Sequence, residues 1–199
     1  MTAPIRFYFD FNSTFSYIAA QKIDDLAARY ERDVDWIAVS LGHVFKDQGI
    51  TPPPLIPAKF KYLAVDFARS CALAGLPSKL PESMPPPVKL ARLAFWRFKA
   101  RDDLLARTYA KAVTKAIFGE GRNLGTAADI ADACRLVPGI TESEITAAAE
   151  DKAAQHAVLT AVDTAKADGM IGAPFMVFEG EPFWGADRLD QLERRLSEG

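Results

Sequence analysis

Ile5-Arg6-Phe7-Tyr8-Phe9-Asp10-Phe11-Asn12-Ser13-Thr14-Phe15-Ser16-Tyr17 is the stretch that decides the fold. Ile5, Phe7, Phe9 and Phe11 alternate with Arg6, Tyr8 and Asp10, the period of a β-strand. Asn12, Ser13 and Thr14 follow, residue types that cap helix N-termini. Phe15, Ile18, Ala19, Ile23, Leu26, Ala27 and Tyr30 then recur at helical spacing. Residues 33–41 (DVDWIAVSL) return to a strand pattern. Strand, helix, strand in this order implies a right-handed crossover and a parallel pair.

Outward from that unit the chain changes character. Thr51-Pro52-Pro53-Pro54 and Pro57 punctuate a loop, and residues 58–167 carry helix signals without a convincing strand. Helices are expected from about Lys59 to Ala74, stopped by Gly75, and from after Pro85-Pro86-Pro87 to about Arg101. A third should start after Asp102-Asp103 and run to Phe118, with a short one capped by Thr126. Thr141 and Glu144 have capping-box spacing ahead of an alanine-rich helix closing at Gly169. Pro174-Phe-Met-Val-Phe178, a turn at Glu179-Gly180-Glu181 and Pro182-Phe183-Trp184 read as a hairpin, and Gly185-Ala186-Asp187-Arg188 opens a last amphipathic helix. The expected fold class is α/β, with residues 1–57 and 168–199 forming one unit and 58–167 an all-helical insertion domain.

Composition narrows the function classes. Of 199 residues, 49% are apolar and 25% charged, which excludes disorder for the bulk of the chain. Twenty-four basic against 26 acidic residues leave a net charge of −2, so nucleic acid is not an expected partner. No apolar run approaches the roughly 18 residues of a membrane span. The opening Met1-Thr2-Ala3-Pro4 lacks a secretory signal pattern, so a cytoplasmic protein is expected. Two cysteines, Cys71 and Cys134, are too few for a disulfide scaffold and should behave as small hydrophobes. Two histidines, His43 and His156, do not suggest a metal site, and none is expected.

Four stretches together resemble the group containing the disulfide oxidoreductase DsbA, kappa-class glutathione transferases and 2-hydroxychromene-2-carboxylate isomerases, whose fold is a thioredoxin-like domain interrupted by a helical domain. The first is Phe7 to Tyr17, where the resemblance places an active serine at Ser13; Thr14 stands at the family's usual proline position. Redox members carry Cys-x-x-Cys at this turn, and Ser13-Thr14-Phe15-Ser16 has no thiol for that chemistry. The second is Leu41 to Gly49 with Pro57-Ala58-Lys59, Tyr62, Asp66 and Arg69, similar to a glutathione-binding loop and the helix after it. Lys59 then matches the lysine that meets the glycyl carboxylate, and Ile50 is apolar where the family often has asparagine. The third is Gly172-Ala173-Pro174, similar to the loop before a cis-proline, with Ala173 presenting its backbone to the glutathione cysteine. The fourth is Trp184-Gly185-Ala186-Asp187-Arg188, where Asp187 suits the γ-glutamyl ammonium and Ala186 leaves a backbone contact only.

Taken singly, these residues have plainer readings. Ser13 is a helix cap, Lys59 a solvated helix residue, Asp187 an N-cap, Pro174 a loop proline, and Asp66 and Arg69 a pair three apart on one helix. Only the combined pattern points to glutathione as cofactor, with Ser13 donating a hydrogen bond to its thiolate. The resemblance implies isomerisation of 2-hydroxychromene-2-carboxylate in naphthalene-type aromatic catabolism, a small aromatic substrate, and a homodimer. A kappa-type transferase and a non-catalytic binding protein of the same fold stand as alternatives.

Overall fold

The expected opening strand forms as β1 (Ile5–Phe9). It pairs in parallel with β2 (Val34–Ala38), Phe7 lying opposite Trp36. Between them runs α1 (Thr14–Ala28), capped by Ser13. β1 stops two residues short of Phe11 because the chain turns at Asp10, whose carbonyl accepts from Ser13 N–H at 2.9 Å. The computed structural model describes residues 3–198; Met1 and Thr2, read above as part of a chain start without a signal, lie outside the described residues, as does Gly199.

The sheet is completed from the far end of the chain. β3 (Phe175–Phe178) lies antiparallel to β1, and β4 (Glu181–Trp184) antiparallel to β3, giving the order β2-β1-β3-β4. The hairpin turns through Glu179 at φ 50° and Gly180 at φ 84°, the left-handed pair that matches strand twist. One face of the sheet, with Phe7, Phe9 and Trp36, packs under α1 and the helical segment. The other face, with Tyr8, Ile37 and Val39, meets Ala161, Val162 and Ala165 of α8 (Lys152–Ala167).

Several boundaries depart from the sequence expectation. The stretch after Ser40 is helical, α2 (Leu41–Asp47), where a binding loop was expected. In the insertion, α3 (Pro57–Ala74), α4 (Lys89–Lys99), α5 (Asp103–Phe118) and α6 (Ala127–Ala133) follow the expected signals. The alanine-rich helix is split into α7 (Glu142–Ala148) and α8. Asp151 causes the break: its carboxylate leaves the helix pattern to accept from Ala153 N and Ala154 N, both at 3.0 Å. Thr141 forms only half of the expected capping box, because the Glu144 carboxylate is drawn instead to Arg97 and Arg101. Thr126 and Asp129 make the full box, which the sequence reading did not assign to them. The final helix begins with a 3-10 turn (Ala186–Arg188) before α9 (Leu189–Ser197).

An aromatic seam joins the sheet to the helices. Phe9 meets Trp36, Phe11 and Phe95 with ring centroids 5.2 to 5.3 Å apart, all near edge-to-face. Phe95 belongs to α4, so this cluster seats the helical segment on the C-terminal end of β1. Cys71 and Cys134 are fully buried in the same core, as expected of small hydrophobes, and burial pushes their thiols up to about 11 and about 12. Among the described residues no helix is long and apolar enough to cross a membrane.

Candidate functional site

The site is built at the N-terminus of α1. Ser13 has extended backbone angles (φ −97°, ψ 116°), and its Oγ accepts from Ser16 N–H at 3.1 Å. It is therefore the helix cap that the residue alone suggests. It also donates its hydroxyl proton to the carbonyl oxygen of Ala173, 2.9 Å away. Among the described residues no histidine, carboxylate or amine is a hydrogen-bond partner of Ser13, so none of them is in place to make it a nucleophile. What remains is a hydroxyl donor beside the amide groups of a helix start, an arrangement that favours an anion.

The Ala173–Pro174 bond next to this contact is cis, as the family resemblance implied. The loop is held from the hairpin side: Gly185 N–H donates to the Pro174 carbonyl at 2.9 Å. Gly172 is needed there for space, since a Cβ on it would lie 2.6 Å from Trp184 Nε1. Gly185 is needed for both conformation and space, with φ at 109° and Asp187 Oδ1 where a Cβ would go. The turn from Ala186 to Arg188 packs back on α1. Ser13, Ala173, Pro174, Ala186 and Asp187, scattered in sequence, are thus gathered around one helix end. Asp187 is not the N-cap it suggests alone; Gly185 occupies that position and no side chain caps the turn. Its carboxylate is exposed and pairs with the adjacent Arg188 at 2.8 Å.

Lys59 lines a separate cleft of about 460 Å³, which shares with α1 only Phe15. The cleft is lined by Lys59, Tyr62 and Asp66 of α3 together with Phe15, two residues beyond Ser13. Lys59 is exposed and makes no ion pair among the described residues. Asp66 and Arg69 pair with each other at 3.5 Å, the plainer of their two readings. His43 is tied up locally, Nδ1 lying 2.9 Å from Ser40 Oγ. Trp36 and Trp96 serve as core and wall, whereas Trp184 is half exposed against the cis-proline loop.

The sequence reading missed the group that anchors the site from beneath. Asp10 is fully buried and accepts from Arg92 Nη2 at 2.7 Å, Leu41 N at 2.6 Å and Asn12 N at 3.1 Å. Arg92 also donates through Nε to Val39 O at 2.8 Å. Strand β1, helix α2 and helix α4 are pinned together at this ion pair. No sequence signal singled them out: Asp10 falls among the alternate residues of the strand pattern with Arg6 and Tyr8, and Arg92 reads as one more charged residue of a helix.

Comparison with known proteins gives a consistent picture. The profile of the DSBA-like thioredoxin domain matches residues 4–197. A 2-hydroxychromene-2-carboxylate isomerase of Pseudomonas putida is 29% identical over 96% of this chain and 93% of its own length. A solved structure of a 2-hydroxychromene-2-carboxylate isomerase superposes with a TM-score of 0.85 at 27% identity, covering 98% of this chain and 95% of that one. Glutathione S-transferase kappa 1 of Caenorhabditis elegans is 32% identical over a shorter stretch, 37% of this chain and 33% of that protein.

Proposed function

The chain belongs to the DSBA-like thioredoxin domain family, and we propose that it is a glutathione-dependent cis–trans isomerase converting 2-hydroxychromene-2-carboxylate to trans-o-hydroxybenzylidenepyruvate. The observation that carries the reading is Ser13, a hydroxyl donor without a base, at the turn where thiol–disulfide enzymes need cysteine. The full-length relatives named as isomerases support it.

The residues fit glutathione. Ala173 offers a carbonyl whose side-chain partner is Ser13, in the bend just before β3, where a bound peptide could pair with it. Lys59 offers an unpaired ammonium for the glycyl carboxylate, Asp187 an exposed carboxylate for the γ-glutamyl ammonium, and Ala186 and Pro174 shape the floor between them. When bound, glutathione supplies a thiolate that adds reversibly to a conjugated double bond, leaving a single bond free to rotate.

The chain's own contribution is positioning and charge stabilisation. Ser13 has one proton to give, and Ala173 O now takes it. Were Ala173 O to accept a backbone N–H of the bound tripeptide, the Ser13 hydroxyl would be free to donate to the sulfur instead. The helix start would add its own preference for the anion and so favour the thiolate over the thiol. Arg92, neutralised by Asp10, keeps the strand end and α4 in place without adding a second charge beside the sulfur.

The reading extends to a cytoplasmic homodimer in naphthalene-type aromatic catabolism, and its cysteines, both free and buried, suit a reducing compartment. Light scattering in solution checks the dimer. Calorimetric titration with glutathione, then spectrophotometry with 2-hydroxychromene-2-carboxylate, tests the activity. Isomerisation that consumes no glutathione supports it. Stoichiometric loss of glutathione to an electrophile such as chlorodinitrobenzene, without isomerisation, would favour the transferase suggested by the kappa-class relative.

A further inference from the structure

Asp168 places an anion at the end of a helix that disfavours one. It closes α8, with φ −78° and ψ 0°, beside the carbonyl oxygens of the last turn, which repel a carboxylate. Its side chain turns instead to β1. One carboxylate oxygen accepts from the Tyr8 hydroxyl, and the other lies 3.1 Å from Arg6 Nη2. We infer that Tyr8 is a positioning residue for the Ser13–Ala173 contact: through Asp168 and Phe175 it holds both ends of segment 169–174 to the strand that leads into Ser13. The inference rests on the isomerase reading only for the ligand that the contact serves.

The topology puts Tyr8 at both ends of that segment. Successive residues of β1 face opposite sides of the sheet, so Tyr8 points toward α8 while Phe7 and Phe9 point toward α1. Its backbone lies opposite Phe175, the first residue of β3, and the two ring centroids are 6.3 Å apart. Its hydroxyl reaches Asp168, where α8 stops. Between these anchors the segment carries Ala173, whose carbonyl accepts from Ser13. Two residues after Tyr8, the Asp10 carbonyl accepts from Ser13 N–H at 2.9 Å. One side chain therefore ties the acceptor of the contact to the strand that sets its donor. Gln48 adds a weaker hold on the segment, with Nε2 donating to Met170 O at 3.0 Å.

The hydroxyl is the part of Tyr8 that carries the inference. Its ring is fully buried with Ile37, Val39, Val162 and Val177, where a phenylalanine ring would pack equally well. Burial and the hydrogen bond to Asp168 raise its pKa well above the usual tyrosine value, so the group stays a donor. The second partner of Asp168 holds less firmly. The Arg6 side chain is 38% exposed, and an ion pair so open to water contributes little.

Amide hydrogen exchange by nuclear magnetic resonance on the free protein, then calorimetric titration with glutathione, tests the assignment. Gly169 and Met170 report on the segment, because their N–H groups donate to Lys166 O at 3.0 Å and to Ala165 O at 2.9 Å. In Y8F these two amides should exchange roughly tenfold faster while those of α4 and α5 keep their wild-type rates. Glutathione should bind Y8F roughly tenfold more weakly. D168N keeps an acceptor oxygen for the Tyr8 hydroxyl, so it should stay within about threefold of the wild type in both measurements. V162A opens a cavity in the same core and should melt earlier, with its glutathione affinity unchanged. If the wild type binds glutathione and Y8F binds it equally well, the inference falls and the isomerase reading stands. If none of the proteins binds glutathione and Y8F still exchanges faster at Gly169 and Met170, the reverse holds. Wild-type exchange in Y8F, or a loss of affinity in V162A or D168N as large as that in Y8F, would also overturn the inference.

Discussion

Ser13 Oγ lies 2.9 Å from the carbonyl oxygen of Ala173, across the join between the first helix and the cis-proline loop. The bond ties two segments 160 residues apart in sequence. It also means that the hydroxyl proton assigned to the sulfur is already in use in the free protein. Under the proposed function, glutathione binding would exchange partners at this one carbonyl.

Replacing Ser13 with alanine separates two losses. The cap to Ser16 N–H disappears, which should cost about 1 kcal/mol in chemical denaturation. The donor to the thiolate disappears as well, and a hydrogen bond to a charged group is worth roughly 1.5–3 kcal/mol. The turnover rate at saturating glutathione should fall by about one to two decades. A folded variant with the wild-type rate would remove Ser13 from the mechanism.

Lys59 and Asp187 should act on affinity more than on rate, because both contacts exist before and during the reaction. Lys59→Ala is expected to raise the glutathione concentration for half-maximal rate more than Asp187→Ala. Lys59 has no partner to surrender among the described residues, while the Asp187 carboxylate is shared with Arg188. Added salt should weaken binding in the wild type and less in Lys59→Ala, since the contact is screened. Initial rates across a glutathione series at two ionic strengths give both comparisons.

The Asp10–Arg92 pair should be the most sensitive charge in the molecule. Arg92→Met leaves the fully buried Asp10 without its cation and should destabilise by about 3–5 kcal/mol. Asp10→Asn combined with Arg92→Met should cost less than the sum of the single changes, because neither charge is then stranded. Urea midpoints of the four proteins close the cycle.

Above pH 9 the fold should weaken, and the buried thiols set part of the slope. Burial raises Cys71 from the usual 9.0 to about 11 and Cys134 to about 12. Over that window the unfolded chain has lost protons that the folded chain keeps, so stability falls as pH rises. Burial likewise raises Tyr17 to about 12, with the same sign. Replacing both cysteines with alanine should lower the midpoint at pH 8 through lost packing, yet make it less sensitive between pH 8 and 10.5. Turnover should persist, since neither thiol belongs to the site.

Local pattern was the part of this molecule most readable from the chain. The alternation of Ile5, Phe7 and Phe9 and the caps at Ser13, Asp102 and Thr126 each depend on neighbours in sequence, and each formed. The placement of Ser13, Ala173 and Asp187 became readable only through a motif resemblance, because their proximity is made by sheet order. Asp10, Arg92 and Asn12 were not readable: each looks like an ordinary surface residue until strand, loop and helix are stacked. The split at Asp151 was missed because alanine-rich periodicity continues through a break that one competing carboxylate creates.

The thiol titration of bound glutathione tests the role of Ser13 most directly. Thiolate absorbance near the far ultraviolet, followed against pH with protein in excess over the tripeptide, reads the ionisation itself and needs no substrate. In the wild type the bound thiol should titrate well below the free tripeptide, by about one to two units if one charged hydrogen bond and a helix start act on it. In Ser13→Ala the titration should move back up by about one unit or more while glutathione still binds. A bound thiol that titrates like the free tripeptide in the wild type, or identically in the two proteins, would contradict Ser13 as the donor that holds the thiolate.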